Sequence, residues 1–346
     1  MRCGDFRTTY PADMAIFDSS VSRVLLAVFL AVLLAVPLFA TSYWMDVCNR
    51  IGIAVIAAMG LNILTGFTGQ ISLGNAAFLS VGAYTTAALA GRGVPFLLVP
   101  PASGLVAALV GMVFGVPSLR LKGLYLAIAT LAAHFIVEFT VVHWESMTGG
   151  VAGTSIPSAK LLGLEFGDDR RLFYPILALA LLHLFFARNL FRSKVGKAFI
   201  AIRDHDISAE VMGVDVFRHK LLAFAVSSFF VGVAGSLLAY QAHIISPENF
   251  PLGVAIDHLG MIIIGGLGSV LGSILGATFI TLLPELLRLG TGRLAGSFPA
   301  LVQLFAALKL GVFGLAIVLF LVFEPDGMAA RWQRIKAYWK LYPFSY

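Results

Sequence analysis

His134 and Glu138 stand four residues apart in an otherwise apolar stretch, so a helix would carry them on one face. An imidazole beside a carboxylate can form an ion pair or relay a proton. Asp257 and His258 make a second acid–imidazole pair at the opening of another apolar run, where the dipole at a helix N-terminus stabilises an acid. A third constellation carries no charge: GFTGQISLGNAAF, residues 66–78, alternates three glycines with Thr68, Gln70, Ser72 and Asn75 between two apolar runs. Signatures of catalysis are missing. There is no HExxH, no paired set of metal ligands and no nucleophile elbow, and Cys3 and Cys48 lie too far apart to suggest a metal site or a disulfide framework. No GxxxxGK[ST] string occurs either. Gly196 and Lys197 are followed by Ala198 and lack the upstream glycine, so this chain holds no P-loop for ATP.

The elements that must hold these residues are membrane helices. Of the 346 residues, 59% are hydrophobic and 12% charged, about half the charged share of a soluble domain, and mean hydropathy is +0.92. Apolar runs recur from Val24 almost to Phe323. A bilayer core of roughly 30 Å needs about 20 apolar residues as helix. Ten candidate spans fall near residues 24–43, 50–65, 75–91, 97–117, 123–143, 172–187, 220–240, 252–267, 270–287 and 300–323. The eighth and ninth are short and broken by glycine, and the fourth opens on Pro100 and Pro101, so eight or nine spans is the alternative. The expected fold class is an all-α integral membrane protein, with a polar tail over residues 1–22, a single transmembrane domain over 23–325 and a second tail over 326–346. The first run is long for a signal-peptide core and lacks a cleavage site, so it reads as an uncleaved helix.

Basic residues set the orientation, because Lys and Arg accumulate in cytoplasmic loops. With ten spans, Arg2, Arg7, Arg23, Arg120, Lys122, the segment 188–220 and the segment 331–340 share one side. Only Arg50, Arg92, Lys160, Arg170, Arg171, Arg288 and Arg293 lie on the other, while Lys309 falls within the last span. A bias better than two to one puts both termini in the cytoplasm and makes residues 144–171 the longest outer loop. The net charge of +6 is therefore a matter of topology, since no basic stripe suited to nucleic acid is present. Gly111 with Gly115, Gly232 with Ser236, and the row Gly268, Gly272 and Gly276 have the spacing that lets membrane helices approach closely. The last row reads either as packing or as a broken helix.

Irregular backbone at membrane depth is tolerated only where protein or a watery cavity satisfies it, and broken helices offer amides to a carboxylate. Residues 66–78 thus read as the lining of a passage or as a polar loop that turns the chain and packs closely; their lack of Lys and Arg favours the passage. Between the sixth and seventh spans, residues 188–220 mix charge, alanine and glycine as few other stretches here do. Asp206 is a candidate N-cap, residues 207–212 a short helix and Gly213 its left-handed stop, with a second short helix over 195–202. Such a segment can dock a soluble partner, or it can simply enforce topology and touch anionic lipid.

The same segment resembles the ATPase-coupling loop of LivM-type permeases from branched-chain amino acid ABC importers, through Gly196, Ala201, Ile202, Arg203, Asp204, Asp206, Ala209, Glu210, Gly213, Lys220 and Leu221. Further stretches resemble the family in order: residues 60–84, 123–132 (GLYLAIATLA), 148–153 (TGGVAG), 245–250 (ISPENF) and 263–277 (IIGGLGSVLGSILGA). The likeness runs from about Arg50 to Phe323. Asn75, Asp257 and Ser273 stand where the family often has His, Glu and Pro, and related urea and amide permeases share much of the pattern. The resemblance implies a chain without catalytic or metal sites that moves amino acids inward across the bacterial cytoplasmic membrane. It also implies partners: two P-loop ATPases that bind ATP and Mg, a second, LivH-like permease chain and a soluble substrate-binding protein outside. Thr68, Gln70, Ser72, Asn75 and Asp257 are the expected substrate path. Gly196, Arg203, Asp204, Asp206, Ala209, Glu210 and Gly213 are the expected ATPase-coupling set. A secondary transporter working alone is the rival, and an intramembrane enzyme is the weaker one.

Overall fold

A computed structural model describes residues 20–119, 121, 123–161, 164–294 and 305–341. The N-terminal tail, Arg120, Lys122 and residues 295–304, where the tenth expected span begins, lie outside the described residues. Helices form at all ten apolar stretches: α1 (Ser20–Phe39), α2 (Ser42–Asn62), α3 (Asn75–Gly91), α4 (Val99–Ser118) and α5 (Leu124–His143) in the first half of the chain. A four-residue helix α6 (Glu145–Thr148) precedes α7 (Asp169–Arg192), α8 (Lys194–Val211) and α9 (Val216–Ala242). Then come α10 (Leu252–Gly265), α11 (Val270–Leu294), α12 (Phe305–Phe323) and α13 (Gly327–Leu341). Pro100 and Pro101 sit in the first turn of α4, where a missing N–H costs nothing.

The protein is an all-α membrane fold. Six helices are long and apolar enough to cross a bilayer, and a seventh span results if the helices Gly311–Phe323 and Gly327–Tyr338, bent by 45°, are one. The expected count of ten is not reached by this measure. The 14-residue α10 rises only about 21 Å at 1.5 Å per residue, and it stops because Gly266 turns the chain at φ +119°. It begins at Leu252, where the sequence places the span, so Asp257 lies in its second turn rather than at its opening, beyond the reach of the terminal dipole.

Named contacts order the chain into alternating passes. Gln241 at the end of α9 donates to Asp46 at the start of α2, and Asn49 donates to the Asp169 carbonyl at the start of α7. At the opposite end, Arg203 of α8 donates to the Gly66 carbonyl, and Asn62 meets the turn between α10 and α11. The start of α3, the end of α7 and the end of α12 reach this second end, which carries the basic segment and is called the basic face below.

Helix α9 is the axis. Phe224, Phe230, Val231 and Leu237 are fully buried on it, and glycines set how closely its neighbours lie. A methyl at Gly111 of α4 would collide with Ser228, one at Gly82 of α3 with the Gly232 backbone, and one at Gly235 with the Leu79 carbonyl. The small-residue rows therefore pack helices, as their spacing suggests. In the third row Gly268 forms the turn at φ +72°, while Gly272 and Gly276 press on the backbone of α10. The packing reading holds at Gly272 and Gly276, and Gly268 lies in the break between α10 and α11. Away from the basic face, residues 144–168 are not mere loop: Thr154 and Ser155 pair antiparallel with Ile245 and Ile244, and a second two-stranded ladder joins Ala159–Leu161 to Leu164–Phe166.

Candidate functional site

The break after α2 is built from its own polar side chains. Helix α2 ends in one π-turn, Ile63–Phe67, and α3 starts at Asn75. Between them Thr68, Gln70 and Ser72 are buried, as is Asn75 itself. Buried polar groups need partners, and most find them locally. Thr68 donates to the Leu64 carbonyl at 2.5 Å, Gln70 Nε2 to Thr68 Oγ1 at 3.0 Å, and Thr65 to the Gln70 carbonyl at 3.1 Å. The Leu73 N–H donates to Thr130 and the Gly74 N–H to Ser72. These amides, which the sequence offers to a substrate carboxylate, are thus already bonded within the protein. Asn75 points elsewhere, its Nδ2 lying 2.8 Å from Nδ1 of His258 on α10.

One side chain ties the break to the basic segment. Arg203 Nη1 donates to the Gly66 carbonyl at 3.2 Å, a group the π-turn leaves without a regular helical partner. The same guanidinium holds Asp204 at 2.9 Å, and its stem covers Gly69, which needs its φ of +70°. Around this contact lies a cavity of 280 Å³ lined by Thr68, Gln70, Ile202, Arg203, Asp206, Lys220 and neighbours. Asn62 braces the other side: it accepts from the Gly268 N–H at 2.9 Å and donates to the Ser269 carbonyl at 2.9 Å and to Ser273 at 2.8 Å.

Helix α8 is two helices separated by extended backbone at His205 (φ −162°, ψ 102°). The sequence anticipates the break but misassigns its cap. His205, the residue with non-helical backbone, takes the cap position in place of Asp206, and its Nδ1 accepts from the Ser208 N–H at 3.2 Å; Asp206 lies 3.5 Å from Lys220. Gly213 does end the second helix, with φ +86° and the Val214 N–H returning to the Ala209 carbonyl. Of the expected coupling residues, Arg203, Asp204, Glu210 and Gly213 are exposed, Asp206 is half-buried, and Gly196 and Ala209 are buried. Gly196 serves close approach, since a methyl there would strike the backbone of Leu190 and Phe191. Composition concealed an apolar ridge: Ile207, Val211 and Met212 are 60%, 82% and 84% exposed.

The expected path residues do not form one site. Thr68, Gln70 and Ser72 stay near the basic face, whereas Asp257 lines a cavity of 510 Å³ in the other half of the bundle with Asp46, Arg50, Gln241, His258 and Thr281. Asn75 and His258 bridge the two regions. Nothing in the local sequence singles out Asn62, and Arg50 is visible there only as a topology charge, although Asp46 and Arg50 have pairing spacing. His134 and Glu138 share a face as expected, 3.7 Å apart, beside a void lined by Ser80 and Phe250. Among the described residues no cluster of three or more His, Cys, Asp or Glu could hold a metal.

A many-helix apolar bundle with a broken, polar-lined helix and a braced element on its basic face is the architecture of a membrane permease. The family model described as the branched-chain amino acid transport system permease component matches residues 43–321. The high-affinity branched-chain amino acid transport system permease protein LivM of Escherichia coli is 35% identical over 300 residues, covering 79% of this chain and 71% of that protein. A probable branched-chain amino acid transport permease, LivH of Methanocaldococcus jannaschii, is 26% identical over 75% of this chain and 87% of its own length. The fructose import permease FruG of Bifidobacterium longum is 28% identical over 72% and 74%. No solved structure matches. The chain belongs to the branched-chain amino acid transport system permease family, as a permease subunit of an ABC importer.

Proposed function

We propose that this subunit carries branched-chain amino acids inward across a bacterial cytoplasmic membrane, driven by two separate P-loop ATPases that bind ATP and Mg. A second, LivH-like permease completes the passage, and a soluble binding protein delivers substrate from outside. Both termini and the basic face lie in the cytoplasm, following the bias of Lys and Arg. The tails over residues 1–22 and 326–346 flank a single permease domain, 23–325, against which α13 packs through Gly327 and Gly266. Urea or amide import is the alternative substrate reading.

The observation that carries this proposal is the joint at Arg203. A capped helix with an exposed apolar ridge is suited to a soluble partner, and further back along the same element Arg203 grips the carbonyl of a broken membrane helix. Closure of paired ATPases would move α8, and Arg203 would pass that motion to residues 66–74, switching the side to which the passage opens. Arg203, Asp204, Asp206, Glu210 and Gly213 are the coupling group; Gly196 and Ala209 seat it. Thr68, Gln70, Ser72, Asn75 and Asp257 flank the path at successive depths.

Affinity purification of the tagged chain in mild detergent should recover P-loop ATPases and a second permease. Glu210→Lys reverses a charge on the exposed face, and Gly213→Pro forbids the left-handed cap; both should insert normally yet hydrolyse ATP without uptake. Normal coupling in both variants, or solute movement by the chain alone under an ion gradient, would sink the reading.

A further inference from the structure

The 510 Å³ cavity has a composition that the importer reading alone does not require. Its volume lies within the roughly 300–1,000 Å³ of small-molecule sites. The wall is divided. Asp46, Arg50, Gln241, Asn249, Asp257, His258 and Thr281 supply polar groups, and Ile53, Ala54, Leu79, Leu238 and Val254 supply an apolar surface. Asp46, Arg50 and Gln241 are held in place before any ligand arrives: Arg50 Nη2 lies 2.8 Å from Asp46 Oδ2, and Gln241 Nε2 donates to Asp46 Oδ1 at 2.7 Å and to its carbonyl at 3.1 Å. Arg50 is 55% exposed, and a guanidinium has five N–H donors, enough to keep Asp46 and still fork a second carboxylate.

We infer that this cavity binds a free, zwitterionic amino acid with an apolar side chain, so that the permease itself reads its substrate. The ammonium group donates to Asp46, the carboxylate lies on Arg50, and the side chain rests on Ile53, Leu79, Leu238 and Val254. A solute lacking either charge leaves one half of the Asp46 and Arg50 pair facing an uncharged group, and a polar side chain meets the apolar wall. The inference rests on the amino-acid reading above and deepens it.

The test is equilibrium binding of radiolabelled leucine to the permease complex in lipid nanodiscs, with the soluble binding protein left out. Saturable binding is expected. Arg50→Gln and Asp46→Asn should each weaken it about 10- to 100-fold, the range for loss of a charge-assisted contact, and leucinamide and N-acetyl-leucine should fail to compete. If the ion pair were only structural, the double variant Asp46→Arg with Arg50→Asp would regain binding along with thermal stability; the site predicts regained stability without binding. Absence of leucine binding at millimolar concentration, equal competition by leucinamide, or full affinity in Arg50→Gln overturns the inference. The importer reading is judged separately, by recovery of the ATPases and ATP-driven uptake, and it can survive any of these results.

Discussion

Asn62 is fully buried where α2 gives way to its π-turn, and replacing it with leucine tests whether this one amide braces the break. Leucine keeps the branching at Cγ and removes the polar atoms. The Gly268 N–H, which donates to Asn62 Oδ1, would be left without a partner, at about 1–3 kcal/mol for a buried unsatisfied donor. The other two contacts are partly insured. The Ser269 carbonyl also accepts from the Ser273 N–H, and Ser273 Oγ can fall back on the Ser269 carbonyl at 3.4 Å. Each of these losses is therefore nearer the ~0.6 kcal/mol average for side-chain hydrogen bonds in membrane proteins. The total is about 2–4 kcal/mol, which at about 2 °C per kcal/mol for a chain of this length lowers the unfolding midpoint by about 4–8 °C. Thermal unfolding of the detergent-purified protein, followed by loss of the monodisperse species at one heating rate, reads this directly. Ser273→Ala is the internal comparison and should cost only about 1 °C. A midpoint unchanged in Asn62→Leu, or equal losses in the two variants, would refute the reasoning that the orphaned Gly268 amide carries most of the cost.

Gly276→Ala should lower the same midpoint by about 2–6 °C, because a methyl there overlaps the Met261 carbonyl and α10 must move. Gly253→Ala, which meets nothing within 4 Å, should change it by less than about 2 °C; similar losses in both would remove packing as the cause. Met212→Asp puts a charge on the exposed apolar ridge and should weaken recovery of the ATPases by about tenfold in quantitative pull-down, with no effect on membrane insertion. Full recovery would show that the ridge is not the docking surface. Asn75→Ala breaks the contact with His258 and should change uptake affinity or selectivity, as should Gln70→Ala; uptake assays showing neither effect would leave both residues with packing roles alone.

The class of this protein was legible in the sequence, because membrane insertion follows composition and run length, and helix formation follows local chain preferences. The ten helical stretches, the glycine rows and the left-handed stop at Gly213 depend on residues close in the chain or on a single backbone angle. Local pattern also exposed the break at residues 66–74 and the charged segment whose helices part at His205. Tertiary structure decided what those parts do to one another. Arg203 meets Gly66 across 137 positions, Gln241 meets Asp46 across 195 and Asn62 meets Gly268 across 206, and no periodicity encodes contacts of that separation. The cap falls on His205 rather than Asp206 because the backbone breaks there, while Asp206 meets Lys220 of the next helix. Arg50, a topology charge in the sequence, becomes part of a cavity wall only once α9 brings Gln241 beside Asp46, and that convergence is a property of the packed bundle.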